Sequence, residues 1–173
     1  MNRTRTLVAA MAMSLAGFTA WQASEGFTPG PVIPTKGDVP TIGYGSTRYE
    51  DGTPVTLADP PITRDRAEYL ARALHDEEEQ RFRASLPGVK LFQEEYDLYL
   101  DFSGQYGGAN WRKSSMRRHL LAGEYTKACD ALLQWRKAAG YDCSTLVNGQ
   151  PNKRCWGVWT RQLERHAKCW SVQ

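Results

Sequence analysis

The sequence predicts an α+β fold, with a small β-hairpin lobe beside a larger helical lobe and an N-terminal hydrophobic segment in front. Three observations predict it. Residues 28–61 are rich in Pro and Gly with short β-branched runs, residues from Thr63 onward carry helix starts, apolar stripes and glycine stops, and Leu7–Trp21 is uncharged behind two arginines. At 173 residues and 19.5 kDa there is room for one ordinary domain, or one domain plus a targeting segment. Hydrophobic residues at 41% and aromatics at 11% are enough for a sizeable core and exclude long disorder.

The N-terminal segment comes first. Arg3 and Arg5 precede LVAAMAMSLAGFTAW, a basic region followed by an apolar one, which is the pattern of a secretory signal. The run is short for a membrane span, which needs about 20 apolar residues, and Ser14, Gly17 and Thr19 make it weakly apolar. Small-x-small cleavage sites are poor: Ala23 has Trp21 two positions before it, Gly17-Phe18-Thr19 is marginal, and Ser14-Leu15-Ala16 would cut the apolar run short. The segment is therefore expected to be exported without removal. The competing reading is an N-terminal core helix of a cytoplasmic protein.

The hairpin lobe follows, with strands expected at Val32-Ile33, Thr41–Tyr44 and Val55–Leu57 and a turn at Asp51-Gly52. Pro60-Pro61-Ile62-Thr63 marks a helix start with Thr63 as N-cap and Asp65 in the first turn. Ala67, Leu70, Leu74 and Phe82 give that helix an apolar stripe, and the acidic run Asp76–Glu79 reads as its solvated face. Pro87-Gly88 ends it. Further helices are expected at Phe92–Phe102, broken by Gly104 and Gly107-Gly108, then at Ser114–Leu121, Tyr125–Lys137 and Trp156–Trp170. The last carries Trp159, Leu163 and Trp170 on one side.

Charge is divided unevenly. Residues 1–110 hold ten Lys/Arg against fifteen Asp/Glu, whereas residues 111–173 hold twelve against four. A basic C-terminal region suits an acidic partner such as an anionic wall polymer, while the overall net charge of +3 gives no reason to invoke nucleic acid. All four cysteines, Cys129, Cys143, Cys155 and Cys169, lie near the C-terminus. Without a Cys-x-x-Cys pair they read as two disulfides in an exported chain rather than a zinc site, and His166 with Cys169 is a weak metal pair, so no metal or cofactor is expected. Four cysteines allow three connectivities.

Motif screening removes most reaction classes, since there is no phosphate-binding loop, dinucleotide fingerprint, His-Glu-x-x-His or Gly-x-Ser-x-Gly. His75, His119 and His166 sit in expected helices with no nucleophile beside them and read as surface or helix-packing residues. Carboxylates remain. Glu25 stands just beyond the apolar segment, where partial desolvation favours the protonated form of a general acid. Asp38 lies in the hairpin region, and a carboxyl pair flanking a sugar is what glycoside hydrolysis requires.

Glu25-Gly26 followed by GDVPTIGYGST (residues 37–47) resembles the active-site segment of phage-type lysozymes, the endolysin muramidases. FSGQYGGANW (residues 102–111), KACDALLQW (residues 127–135) and TRQLER (residues 160–165) resemble the same family downstream, so the likeness covers residues 22–173. It implies a lysozyme-like fold, a catalytic set of Glu25, Asp38 and Thr41, and substrate-lining roles for Tyr44, Gln105 and Trp111. One departure stands out. The family commonly has eight residues between Glu and Asp and five between Asp and Thr, whereas this chain has twelve and two. Glu25 to Thr41 is one residue longer than usual, and Thr35, counted back from Thr41, falls in the usual aspartate position. Either Asp38 reaches the same sugar face from another point of the hairpin, or it is structural and Glu25 carries most of the work.

By this resemblance the chain is expected to be an endolysin that hydrolyses the β-1,4 bond between N-acetylmuramic acid and N-acetylglucosamine in peptidoglycan. Lysis of the host cell then releases phage. The alternatives are a lytic transglycosylase giving anhydro products and a non-catalytic peptidoglycan-binding protein. Residues 1–24 resemble a signal-arrest-release segment, held at the inner membrane and later freed into the periplasm, with residues 25–173 as the catalytic domain. The likeness pairs Cys129 with Cys169 and leaves Cys143 with Cys155 to close an added loop. A monomer is the expected state.

Overall fold

The computed structural model describes residues 3–35 and 37–173. In chain order the elements are β1 (Thr6–Leu7), α1 (Leu15–Glu25), β2 (Thr28–Val32), β3 (Thr41–Gly43), α2 (Arg64–Ala84), β4 (Lys90–Leu91), α3 (Gln93–Tyr106), α4 (Gly108–Lys113), α5 (Ser115–Leu121) and α6 (Tyr125–Ala131). There follow β5 (Lys137–Ala138), β6 (Tyr141–Asp142), β7 (Leu146–Val147), β8 (Gln150–Pro151) and α7 (Trp156–Trp170). The chain divides into two compact units, Ala12–Phe82 and the remainder, in which the residues up to Met11 join Arg83–Gln173.

In the Ala12–Phe82 unit, the Ser14 hydroxyl accepts from the Gly17 amide at 3.0 Å and starts α1 there. The apolar run Leu7–Trp21 is thus not one helix. Met11 to Ser14 are extended or irregular, and among the described residues no helix is long and apolar enough to cross a membrane. β2 and β3 pair antiparallel, with Thr28 opposite Gly43 and Val32 opposite Thr41. The core beneath is Ile42, Val55 and Leu70, backed by Tyr49, Ile62 and Leu74. Asp51-Gly52 does form a turn, closed by Tyr49 N–H to Thr53 O at 2.9 Å, but Val55–Leu57 pairs with no strand. Within the acidic run of α2, Glu79 is a correction to the expected solvated face: it is buried and accepts the Met13 amide at 2.7 Å.

In the other unit β1 pairs with β4, and Val8, fully buried, donates its amide to Val89. α3 runs on to Tyr106, past Gly104, and stops where Gly107 takes φ 83°. α6 is shorter than expected, because the chain after Ala131 tightens into a 3-10 turn and then the β5–β6 hairpin. α7 has the expected bounds but turns polar residues inward, with Gln162, Arg165 and Cys169 buried and Leu163 and Trp170 exposed. The cause is Asp101 on α3, whose carboxylate takes charged hydrogen bonds from Arg165 at 2.8 Å and from Arg161. Both disulfides form, Cys129–Cys169 and Cys143–Cys155.

Candidate active site

Glu25 is the last residue of α1, and Gly26 turns the chain out of the helix at φ 72°. Phe27 then meets the Tyr44 ring at 5.7 Å, and the Arg64 guanidinium lies 4.5 Å over Phe27. These contacts hold the helix end against the residues that follow β3. There the chain makes a tight reversal, with Ile42 and Ser46 exchanging both backbone hydrogen bonds at 3.0 Å. Gly43 at φ 66° and Gly45 at φ 81° supply the left-handed residues it needs. The reversal sets Gly45 beside the acid, since a Cβ on Gly45 would stand 3.6 Å from Glu25 Oε2.

A cavity of about 380 Å³ opens at this reversal, lined by Trp21, Tyr44, Ser46, Arg48, His75 and Glu78 among others. His75 is buried with its ring edge-on to Trp21 at 5.5 Å, as a helix-packing histidine would be. Desolvation raises the pKa of the Glu78 carboxyl; Arg81 and Arg48 oppose the shift, and the negative charges of Glu25 and Glu77 add to it. Arg48 is tethered to Glu77 at 2.7 Å.

Thr41 opens β3, and its hydroxyl donates to Val32 O at 3.4 Å. Asp38 is exposed in the loop between β2 and β3, and its amide donates to Thr35 O at 2.9 Å. One backbone hydrogen bond thus joins Asp38 to Thr35. Glu25, Asp38, Thr41 and Tyr44 all belong to the Ala12–Phe82 unit, and Gln105 and Trp111 belong to the other. Gln105 is exposed near the end of α3. Trp111 is a core residue, 1% exposed, its indole N–H donating to Ser85 Oγ at 2.8 Å.

Neither Arg48 nor Glu78, one acid among the run Asp76–Glu79, belongs to a motif of the sequence. Ala71, Leu74, His75 and Glu78 lie on one face of α2 at helical spacing, and all four line the cavity. That spacing was the available signal, hidden by the surrounding run of acids.

The sequence model of the family described as phage lysozyme matches residues 22–154. The endolysin of Salmonella phage P22 is 30% identical over 144 residues, which is 83% of this chain and 96% of that protein. A solved structure of a P22 lysozyme mutant superimposes with a TM-score of 0.72 at 26% identity, covering 92% of this chain and 99% of the other. The endolysin from Escherichia coli O157:H7 phage FAHEc1 gives a TM-score of 0.72 at 23% identity, covering 92% and 94%.

Proposed function

The chain belongs to the phage lysozyme family, and from that premise we propose that it is an endolysin, a muramidase that cuts the glycan of bacterial peptidoglycan and lyses the host cell. The observation that carries the residue assignment is the placement of Glu25 at a helix end beside a side-chain-free turn and an open cavity. A carboxylic acid there has space for a sugar ring against it.

Glu25 protonates the leaving glycosidic oxygen as the C–O bond breaks. Asp38 stabilises the positive charge that develops on the ring or helps activate water, and Thr41 positions that water on the face opposite the leaving group. The outcome is inversion, which needs a carboxyl separation that admits the water. The backbone hydrogen bond from Asp38 to Thr35 supports this role for Asp38, because it ties the displaced residue to the position five residues before Thr41 that the family commonly uses. Tyr44 lines the cavity, as a substrate-facing residue must.

The N-terminal segment is proposed to hold the enzyme at the inner membrane until it slips into the periplasm. Its weak apolarity makes a membrane state only marginally favourable. Val8, Met11 and Phe18 are buried in the fold, so the segment has a place among water-exposed units once it leaves the bilayer. The mass of the protein recovered from lysing cells tests this: an intact N-terminus is expected, and a cut between Leu15 and Ser24 removes the idea.

Mass spectrometry of fragments released from purified peptidoglycan, with Glu25→Gln in parallel, tests the chemistry. Hydrated reducing-end muramic acid, lost in the variant, is expected. Anhydro ends would make the protein a transglycosylase, and absence of fragments from the oxidised protein would leave only wall binding.

A further inference from the structure

The segment between α6 and α7 carries two hairpins that the catalytic proposal does not use. Both turn on pairs of left-handed residues, Ala139-Gly140 at φ 48° and 82° and Asn148-Gly149 at φ 52° and 74°, the geometry that matches strand twist in two-residue hairpins. The Cys143–Cys155 bridge ties the base of the second. Asn152, just after it, is buried, its carbonyl accepting from Trp156 N at 2.9 Å and its side-chain oxygen from Arg154 N at 3.2 Å.

The hairpins border a cavity of about 440 Å³ lined by Tyr141, Val147, Pro151, Asn152, Lys153 and Arg154 among others. That volume is in the range of small-ligand pockets. Its wall has two parts. Val147, Pro151 and the Tyr141 ring are apolar, and Val147 is 54% exposed. Lys153 and Arg154 are cationic, and neither makes an ion pair among the described residues. The Arg154 guanidinium lies 4.7 Å over the Tyr141 ring, which orients the fork and leaves its N–H edges for an anion. Asp142 is the one acidic residue in the sequence between Arg136 and Cys155, and it is already engaged by Ser144 and, at 3.1 Å, by Arg136. Ser144 and Arg136 hold its carboxyl below the usual range, so it stays an occupied acceptor and does not neutralise the cavity.

We propose that this cavity is a second binding site, sharing no residue with the Glu25 site, for a short acidic peptide with small apolar side chains. That is the chemistry of the peptide stems on the wall polymer, so the proposal rests on the reading of the chain as a wall-degrading enzyme. A fixed guanidinium with a neighbouring ammonium suits carboxylates, and the apolar wall suits methyl groups. A bare sugar is disfavoured, because the guanidinium already covers a face of Tyr141. The concave shape favours a short peptide over a flat anionic lipid surface.

The test uses the oxidised full-length protein and a free tripeptide of alanine, glutamate and diaminopimelate, titrated by NMR or calorimetry. Saturable binding is expected, weakened at least tenfold by Arg154→Glu or Lys153→Glu and less by Arg154→Lys, which keeps charge but loses the fork. A peptide-free chitin oligosaccharide should bind with an affinity these variants leave unchanged. Peptide binding that ignores both charge reversals overturns the proposal. So does Arg154-dependent binding to phosphatidylglycerol vesicles in the absence of peptide binding. Fragment release by the wild-type enzyme is read separately: its failure removes the muramidase reading, whereas loss of peptide binding with cleavage intact removes only this site.

Discussion

Arg5 clasps the carboxylate of Glu95 through two hydrogen bonds of 3.0 Å, and Glu95 is fully buried. The same carboxylate accepts the Phe92 amide at 2.8 Å and the Gln173 side chain at 2.8 Å, so the first, middle and last parts of one unit meet on one charge. The Arg5 guanidinium is also stacked 3.8 Å over the Tyr125 ring and 4.3 Å over Phe92. Arg3 repeats the arrangement with Glu94 at the surface. The two arginines in front of the apolar N-terminal run therefore have defined partners in the folded unit.

From this follows the first prediction. Arg5→Ala leaves Glu95 buried without its countercharge, and breaking a buried pair in this way costs about 3–5 kcal/mol. Urea unfolding should show the loss. Arg3→Ala, which breaks an exposed pair, should cost less than about 1 kcal/mol. Equal small effects of both would mean that Glu95 is held by Phe92 and Gln173 alone.

The glycines after Thr41 give a second prediction. A Cβ on Gly43 would lie 2.9 Å from Ala67 Cβ, and the backbone there is at φ 66°. Gly43→Ala therefore meets both a clash on α2 and left-handed strain, for about 2–4 kcal/mol in all. Gly45→Ala has the strain without the clash, its new methyl standing 3.6 Å from Glu25 Oε2. It should cost about 1–2 kcal/mol in stability and reduce kcat more than Gly43→Ala does per unit of stability lost. Thermal unfolding and turnover of both variants compare the two terms.

Glu78 carries a pH prediction. Its carboxyl holds a proton more tightly in the folded protein than in the unfolded chain, chiefly through desolvation, despite Arg81 and Arg48. Stability is then lost as pH rises from the ordinary glutamate range through the raised folded value, because the unfolded chain releases that proton first. Glu78→Gln removes the loss, so the variant should gain stability relative to wild type at pH 7 compared with pH 4. It also removes a like charge near Glu25, so the alkaline limb of the activity profile should move to lower pH. No movement of either curve would mean that the Glu78 carboxyl is as well hydrated in the folded protein as in the unfolded chain.

Much of this was legible in the residues. α7 could be bounded because no proline falls between Trp156 and Trp170 and because Trp159, Leu163 and Trp170 share a helical spacing. The strand expected at Thr41–Tyr44, by contrast, ends at Gly43, where Tyr44 and Gly45 turn the chain back. The inward face of α7 was not legible: its apolar residues define one stripe, but Asp101, far away in sequence, draws Arg161 and Arg165 onto α3. Trp111 could not be assigned either, since an aromatic near a glycine-rich loop fits a groove as well as a core until its Ser85 partner is known. Glu79 could not be told from its solvated acidic neighbours because the Met13 amide that needs an acceptor lies in a segment without periodicity.

The displaced aspartate gives the last prediction. Asp38 and Thr35 are joined by a 2.9 Å backbone hydrogen bond, so a carboxylate moved from one to the other stays in the same stretch of the loop. If Asp38 supplies charge to the transition state, Asp38→Asn should lower kcat about 100-fold, with little change in KM. Glu25→Gln should lower it about 1000-fold or more. Adding Thr35→Asp to Asp38→Asn restores the family's usual five-residue spacing to Thr41 and should recover at least a tenth of wild-type turnover. A loss below threefold for Asp38→Asn would assign Asp38 to the turn alone. A full loss that Thr35→Asp fails to rescue would mean that the hairpin has been reshaped around Asp38, which then acts from a position the usual spacing does not reach. Single-turnover cleavage of a soluble glycan by the three variants decides among these outcomes.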